Sequence, residues 1–201
     1  MSKDLIRHPS GSLDPEKQEP AYIQRLRNKL QQRMGTVPEI TDTDCLLLDL
    51  SHSMAWPLSG DEFNPQGPSK YDELKKLLRQ FPKIRRFYFH TSCEELKDGE
   101  EPPLPTGGTA MHIAFRHLKA RGIKHAVMLT DGMPDNEDYA IRDAMGLKID
   151  IVYVGPDPQP DILCKLAKMT GGSYEGDIKF GSDGTKRLAA KVRGFLEAPK
   201  K

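Results

Sequence analysis

The sequence predicts an α/β domain with a mainly parallel central sheet, doubly wound, and helices on both faces. Three observations carry this. Cys45–Asp49, residues 124–130 and residues 147–154 are short apolar runs bounded by polar residues. That is the pattern of strands buried on both faces. Between them lie segments with apolar residues at helical spacing, such as Tyr71, Leu74, Leu77, Leu78 and Phe81. The two kinds of segment alternate along the chain, the order that a parallel sheet with covering helices requires.

The chain of 201 residues suits one domain plus an extension. Residues 1–40 read as a flexible arm and a basic amphipathic helix, and residues 41–198 as the domain. Within the extension, Tyr22, Ile23, Leu26, Leu30 and Met34 recur at helical spacing, with Arg25, Arg27, Lys29 and Arg33 carrying the charge. This stripe either docks on the domain or offers a basic surface to an acidic partner or RNA. Lys and Arg total 30 against 29 Asp and Glu, a balance that argues against a dedicated nucleic-acid binder. Three cysteines, Cys45, Cys93 and Cys164, show no close pairing, which fits a reducing compartment. Cys45 and Cys164 lie in apolar patterns and read as small buried hydrophobes. The N-terminal stretch lacks the apolar core of a signal peptide, and no run approaches the length of a membrane span. A cytoplasmic location is the expectation.

Taken in order, the domain begins with the strand that ends in Asp49. Residues 56–68 are rich in Pro and Gly and read as a loop. The helix of Tyr71 to Phe81 follows, then a strand over residues 84–90 and a short edge strand over 92–96. Asp98-Gly99 marks a turn. Met111, Ala114, Phe115 and Leu118 give a helix that Gly122 ends. Residues 124–130 are the next strand, a helix lies around 139–145, and a strand covers 147–154. A helix from Asp161 to Met169 stops at Gly171-Gly172. A short strand near 173–176 precedes a closing helix marked by Leu188, Val192, Phe195 and Leu196.

The chemistry is concentrated at the ends of two strands. Asp49, Ser51 and Ser53 follow the first at alternate positions, and ligands in open α/β sheets bind beyond such carboxyl ends. Thr109 follows Gly107-Gly108 in a turn before a helix, and Asp131-Gly132 closes a second strand. All are hard oxygen donors. Each also has an ordinary structural use. Asp49 and Asp131 suit turns, Ser51 and Ser53 suit loop hydrogen bonds, and Thr109 suits a helix N-cap.

Asp49-x-Ser51-x-Ser53-Met54, then Gly107-Gly108-Thr109, then Leu129-Thr130-Asp131-Gly132, resembles the metal-ion-dependent adhesion site of the von Willebrand factor A family. The resemblance spans about residues 43 to 197 and implies a Rossmann-like, doubly wound fold. His52 departs from it, since small residues or Gly are common there. The resemblance further implies that Ser51, Ser53 and Thr109 bind Mg²⁺, or Mn²⁺ as a substitute, with Asp49 and Asp131 holding waters or coordinating from behind. A partner protein's Asp or Glu would complete the shell, with no bond-breaking chemistry. Among stand-alone intracellular members, in bacteria and phages, AAA-type ATPases of the MoxR class, or other chaperone and stress systems, are common partners. Two other readings stand beside this one: an RNA-associated module like those in ribonucleoprotein particles, and a metal-assisted hydrolase. His90-x-x-Cys93 has a zinc-like spacing but lacks a second pair. No nucleophile elbow or phosphate loop is present.

Overall fold

The computed structural model describes residues 41–60, 65–155, 160–176 and 184–197. The arm and the basic stripe of residues 21–34 lie outside these. The strands are β1 (Asp44–Asp49), β2 (Pro57–Gly60), β3 (Pro65–Ser69), β4 (Arg85–Phe89), β5 (Cys93–Leu96), β6 (His125–Thr130), β7 (Lys148–Tyr153) and β8 (Tyr174–Glu175). The helices are α1 (Lys70–Leu78), α2 (Met111–Ala120), α3 (Glu137–Ala144), α4 (Asp161–Met169) and α5 (Gly184–Leu196), with a 3-10 turn at His52–Ala55.

Six strands form one sheet in the order β5-β4-β1-β6-β7-β8. β4, β1, β6, β7 and β8 run parallel, and only β5 is antiparallel, to β4. Leu47 lies opposite Phe87 on one side and Met128 on the other. The period-2 alternation of strands divides the core into two layers. Cys45, Leu47, Phe87, Phe89, Ala126, Met128, Ile149 and Ile151 face Met111, Phe115 and Leu118 of α2, Ala140 and Ala144 of α3, and Leu163 and Leu166 of α4. Leu46, Leu48, Val127, Leu129 and Val152 face Leu74 and Leu77 of α1 and Leu188, Val192 and Leu196 of α5. Each fully buried Leu or Phe contributes about 1.5–3 kcal/mol, so the double layer is the main source of stability.

Local signals fix the helix ends. The Ser69 hydroxyl accepts the Asp72 N–H at 3.0 Å and caps α1. Asn136 does the same for α3 through the Tyr139 N–H at 2.9 Å. Past the end of α2, Gly122 takes φ +73°, the left-handed turn that glycine favours.

Three expectations are corrected. Residues 56–68 are not a plain loop, because β2 and β3 pair as an antiparallel ribbon beside the main sheet. Pro57 and Pro65 are tolerated there because a two-stranded ribbon needs only one ladder of donors. Cys164 is exposed, whereas Cys45 and Cys93 are buried. It falls off the stripe of Ile162, Leu163, Leu166 and Ala167 that α4 buries. Phe81 is buried but lies beyond α1, which ends at Leu78.

At the amino ends of the parallel strands, His125 bridges two buried carboxylates. Its Nδ1 lies 3.2 Å from Asp44 Oδ1 and its Nε2 2.7 Å from Asp150 Oδ2. The other end of the sheet is arranged differently. After β1 the chain crosses to β4 on one side, and later to β6 on the other. The winding direction therefore reverses between β1 and β6. A crevice opens at the carboxyl ends of strands at such a switch point.

Candidate metal centre

Asp49 ends β1 at that switch point and is fully buried. Its Oδ1 accepts the Ser51 N–H at 2.8 Å, and its Oδ2 accepts the Thr130 hydroxyl at 2.6 Å. Leu50 keeps to the sheet by donating its N–H to the Phe89 carbonyl. Ser51 is extended, and the chain then tightens into the 3-10 turn. The tightening brings the Ser51 and Ser53 hydroxyl oxygens to 3.2 Å from each other. The Ser53 hydroxyl donates to Asp131 Oδ1 at 2.9 Å, joining the end of β1 to the end of β6.

Thr109 arrives on a loop stitched to both neighbours. The Thr106 N–H donates to the Leu50 carbonyl, the His52 N–H to the Gly107 carbonyl, and the Ala110 N–H to the His90 carbonyl. Asp135 clamps the turn, since its Oδ1 accepts the Thr109 N–H at 2.9 Å and its own N–H donates to the Thr109 carbonyl. A Cβ on Gly108 would lie 2.8 Å from Asp135 Oδ2, so any other residue there would have to push the clamp aside. A Cβ on Gly132 would stand 3.3 Å from Thr109 Oγ1 and 3.9 Å from Asp49 Oδ2, so this glycine borders both side chains. Thr109 does not cap α2, whose N-cap is Ala110.

The structure thus gathers Asp49, Ser51, Ser53, Thr109 and Asp131 at one crevice. Its electrostatics are uneven. The Asp49 carboxyl is pushed up to about 7 by burial first and by the negative charge of Asp131 second. Hydrogen bonds from Thr130 and Ser51 pull the other way without offsetting this. Asp131 instead has a cation against it. Lys70 Nζ donates to Asp131 Oδ2 at 2.5 Å and to the Ser53 carbonyl at 3.1 Å.

This donor set fits a hard divalent cation. The Ser53 and Thr130 protons are directed at carboxylates, so the Ser53 hydroxyl oxygen faces the Ser51 hydroxyl at 3.2 Å as an acceptor and retains a further lone pair for an ion. The set holds only two carboxylates, and among the described residues no three His, Cys, Asp or Glu side chains converge as a metal cluster. Neutral oxygens with few carboxylates suit Mg²⁺ or Mn²⁺ better than zinc. His90 Nδ1 is taken by the Thr91 N–H at 2.7 Å, and Cys93 is buried in the core. The His90-x-x-Cys93 spacing therefore has a structural use. His52 is exposed, edge-on to Trp56. A cavity of about 630 Å³ lies elsewhere, lined by Lys83, Arg85, Glu95, Lys97, His117 and Arg121, among others. It borders the start of β4, away from the crevice, and holds none of the five oxygens.

Lys70 and Asp135 were not singled out from the sequence, and Thr130 was named only as part of its motif, without a role. Lys70 left one signal. A lysine at the first position of a helix sits against the positive end of the macrodipole, which needs a compensating anion. Asp135 left none, because its role is to hold backbone N–H groups.

No protein-family model and no curated protein matches the sequence. Solved structures do match. A manganese-loaded TRAP protein of Plasmodium vivax superposes with a TM-score of 0.51 at 16% identity, over 77% of this chain and 73% of that one. A von Willebrand factor type A protein of Catenulispora acidiphila superposes with a TM-score of 0.57 at 19% identity, over 77% of this chain but 41% of that one. At such identities the likeness is one of architecture, and it agrees with the strand order and the winding reversal: this chain has the von Willebrand factor A fold.

Proposed function

We propose that this protein is a metal-dependent protein-interaction module. Ser51, Ser53 and Thr109 offer neutral hydroxyl oxygens to Mg²⁺ or Mn²⁺, and Asp49 and Asp131 hold waters of the ion or support it from behind. The bound ion supplies a positive charge only partly neutralised by the site, which the Asp or Glu of a partner protein completes. One observation carries this reading. Asp49 is a fully buried carboxylate with no cationic side chain against it among the described residues, set among hydroxyl oxygens at the switch point. A buried carboxylate of that kind is costly unless a cation is supplied. The manganese in the similar TRAP structure supports the choice of ion.

The reading is non-enzymatic. Among the described residues no imidazole lies within hydrogen-bonding distance of the Ser51, Ser53 or Thr109 hydroxyls to activate them as nucleophiles. The cytoplasmic setting belongs to the same reading, supported by three free thiols. Among the described residues no helix is long and apolar enough to cross a membrane. An AAA-type ATPase of the MoxR class is the partner to try first.

Titration calorimetry tests the core of the proposal. Wild-type protein takes up one Mn²⁺ or Mg²⁺, and Ser53→Ala weakens uptake by about tenfold or more, on the value of a lost ligand. A partner captured from the native host is released by chelator and lost with Ser53→Ala, while the fold is unchanged by circular dichroism. No uptake of either ion by folded wild-type protein would sink the reading.

A further inference from the structure

We propose that Lys70 is a tethered cation that competes with the metal ion for the Asp131 end of the crevice and so sets its affinity. The inference rests on the metal-dependent reading above and concerns what regulates that same site.

Lys70 is an unusual place for a charge. The residue is 6% exposed and opens α1, so its ammonium is both desolvated and held near the positive end of a helix. Neither condition favours a lysine. What holds it is a set of acceptors belonging to the crevice itself, Asp131 Oδ2 at 2.5 Å and the Ser53 carbonyl at 3.1 Å. The Trp56 ring, 5.8 Å from Nζ, covers it. The two oxygens of Asp131 are thereby divided. Oδ1 takes the Ser53 proton, and Oδ2 takes the ammonium.

The ribbon fixes this geometry. The Lys70 N–H donates to the Trp56 carbonyl at 3.0 Å, and Ser69 pairs with Pro57 across the ribbon. The lysine is therefore delivered to the crevice by the same hairpin that follows the Asp49-Ser51-Ser53 segment. A divalent ion among the Ser51, Ser53 and Thr109 oxygens would lie one carboxylate away from a fixed positive charge. In a low-dielectric crevice two like charges at that range repel strongly. The ammonium must then be displaced or tolerated, and either outcome weakens binding. With Lys70 in place the site holds Asp131 neutralised when no ion is bound. This prevents two bare buried carboxylates from facing each other across the crevice.

The test is Mn²⁺ calorimetry on wild-type protein, Lys70→Met, Lys70→Gln and Lys70→Arg, with Trp56 emission followed in parallel. Lys70→Met and Lys70→Gln are expected to bind Mn²⁺ about tenfold or more tightly than wild type, on the repulsion removed. Lys70→Arg, which keeps the charge, is expected to stay within about threefold of wild type. Lys70→Gln retains a donor for Asp131, so it reports even if Lys70→Met does not fold. Equal or weaker affinity in the neutral variants, with wild type still binding Mn²⁺, overturns this inference and leaves the metal reading standing. Equal tightening in Lys70→Arg also overturns it, since charge is then not the cause. Absence of Mn²⁺ uptake in every variant overturns both.

Discussion

Among the described residues, Asp49 carries a clear pH signature. Its carboxyl is raised from 3.8 to about 7, chiefly by burial, so the folded chain holds a proton that the unfolded chain has released over that interval. Stability of the metal-free protein from this group is therefore full below the lower value and is lost as pH rises through about 7, on the order of a few kcal/mol. A cation in the crevice favours the ionised form and reverses the trend. Below about pH 7 the apparent Mn²⁺ affinity should fall, approaching tenfold per pH unit as one proton must leave. The thermal upshift given by Mn²⁺ should accordingly be larger at pH 8 than at pH 5.5. Scanning fluorimetry at the two pH values checks this, and an upshift independent of pH would refute the assignment to Asp49. The five candidate oxygen donors could be named from the sequence because their motifs are local: Asp49, Ser51, Ser53 and Asp131 at or just past a strand's end, and Thr109 in a glycine turn before a helix. Lys70 was not, because its meaning depends on Asp131, 61 residues away. No spacing rule connects a helix start to a distant strand end.

Among the elements, the turn before α2 is the one whose shape matters most to the crevice. Gly108 lies under the Asp135 carboxylate, where a Cβ would come within 2.8 Å of Oδ2. Gly108→Ala should push that clamp aside and release the Thr109 N–H that it holds. The expected cost is about 1–3 kcal/mol in stability, the usual range for overpacking. Mn²⁺ affinity should fall at the same time, because Thr109 loses its placement. Urea denaturation and calorimetry on one variant read both. The strands and helices of the main sheet were legible for a simple reason. A strand buried on both faces must be apolar throughout, and a covering helix must repeat its apolar residues every three to four positions. The ribbon of β2 and β3 obeys neither rule. Seven of its nine residues are Pro, Gly or Ser, the composition of a turn, so its sequence reads as loop. Cys164 shows the same lesson within a helix, where one position off the apolar stripe separates a buried thiol from an exposed one.

At the scale of the molecule, the sheet places opposite demands on its two ends. The carboxyl ends hold the crevice with its under-compensated Asp49. The amino ends hold His125 fully engaged between Asp44 and Asp150, tying β1, β6 and β7 together. Burial pushes Asp150 up, but the His125 ring, the Ser173 N–H and Lys148 together hold it below its usual range. Its contribution to stability is thus present above the ordinary carboxylate range and is lost only in acid. His125→Leu should cost about 3 kcal/mol, since it strips a partner from two buried carboxylates. Urea unfolding at pH 7 measures it, and a loss under about 1 kcal/mol would show that the bridge is incidental. The flanks of the sheet have a quieter consequence. One margin is a strand of only two residues, Tyr174–Glu175, and the other exposes Glu94 beside a half-buried Glu95. Short or charged margins give a neighbouring chain little to zip onto. Among the described residues the build of the sheet thus discourages growth sideways into fibres, which directs any contact of the proposed kind to the loops above the parallel strands.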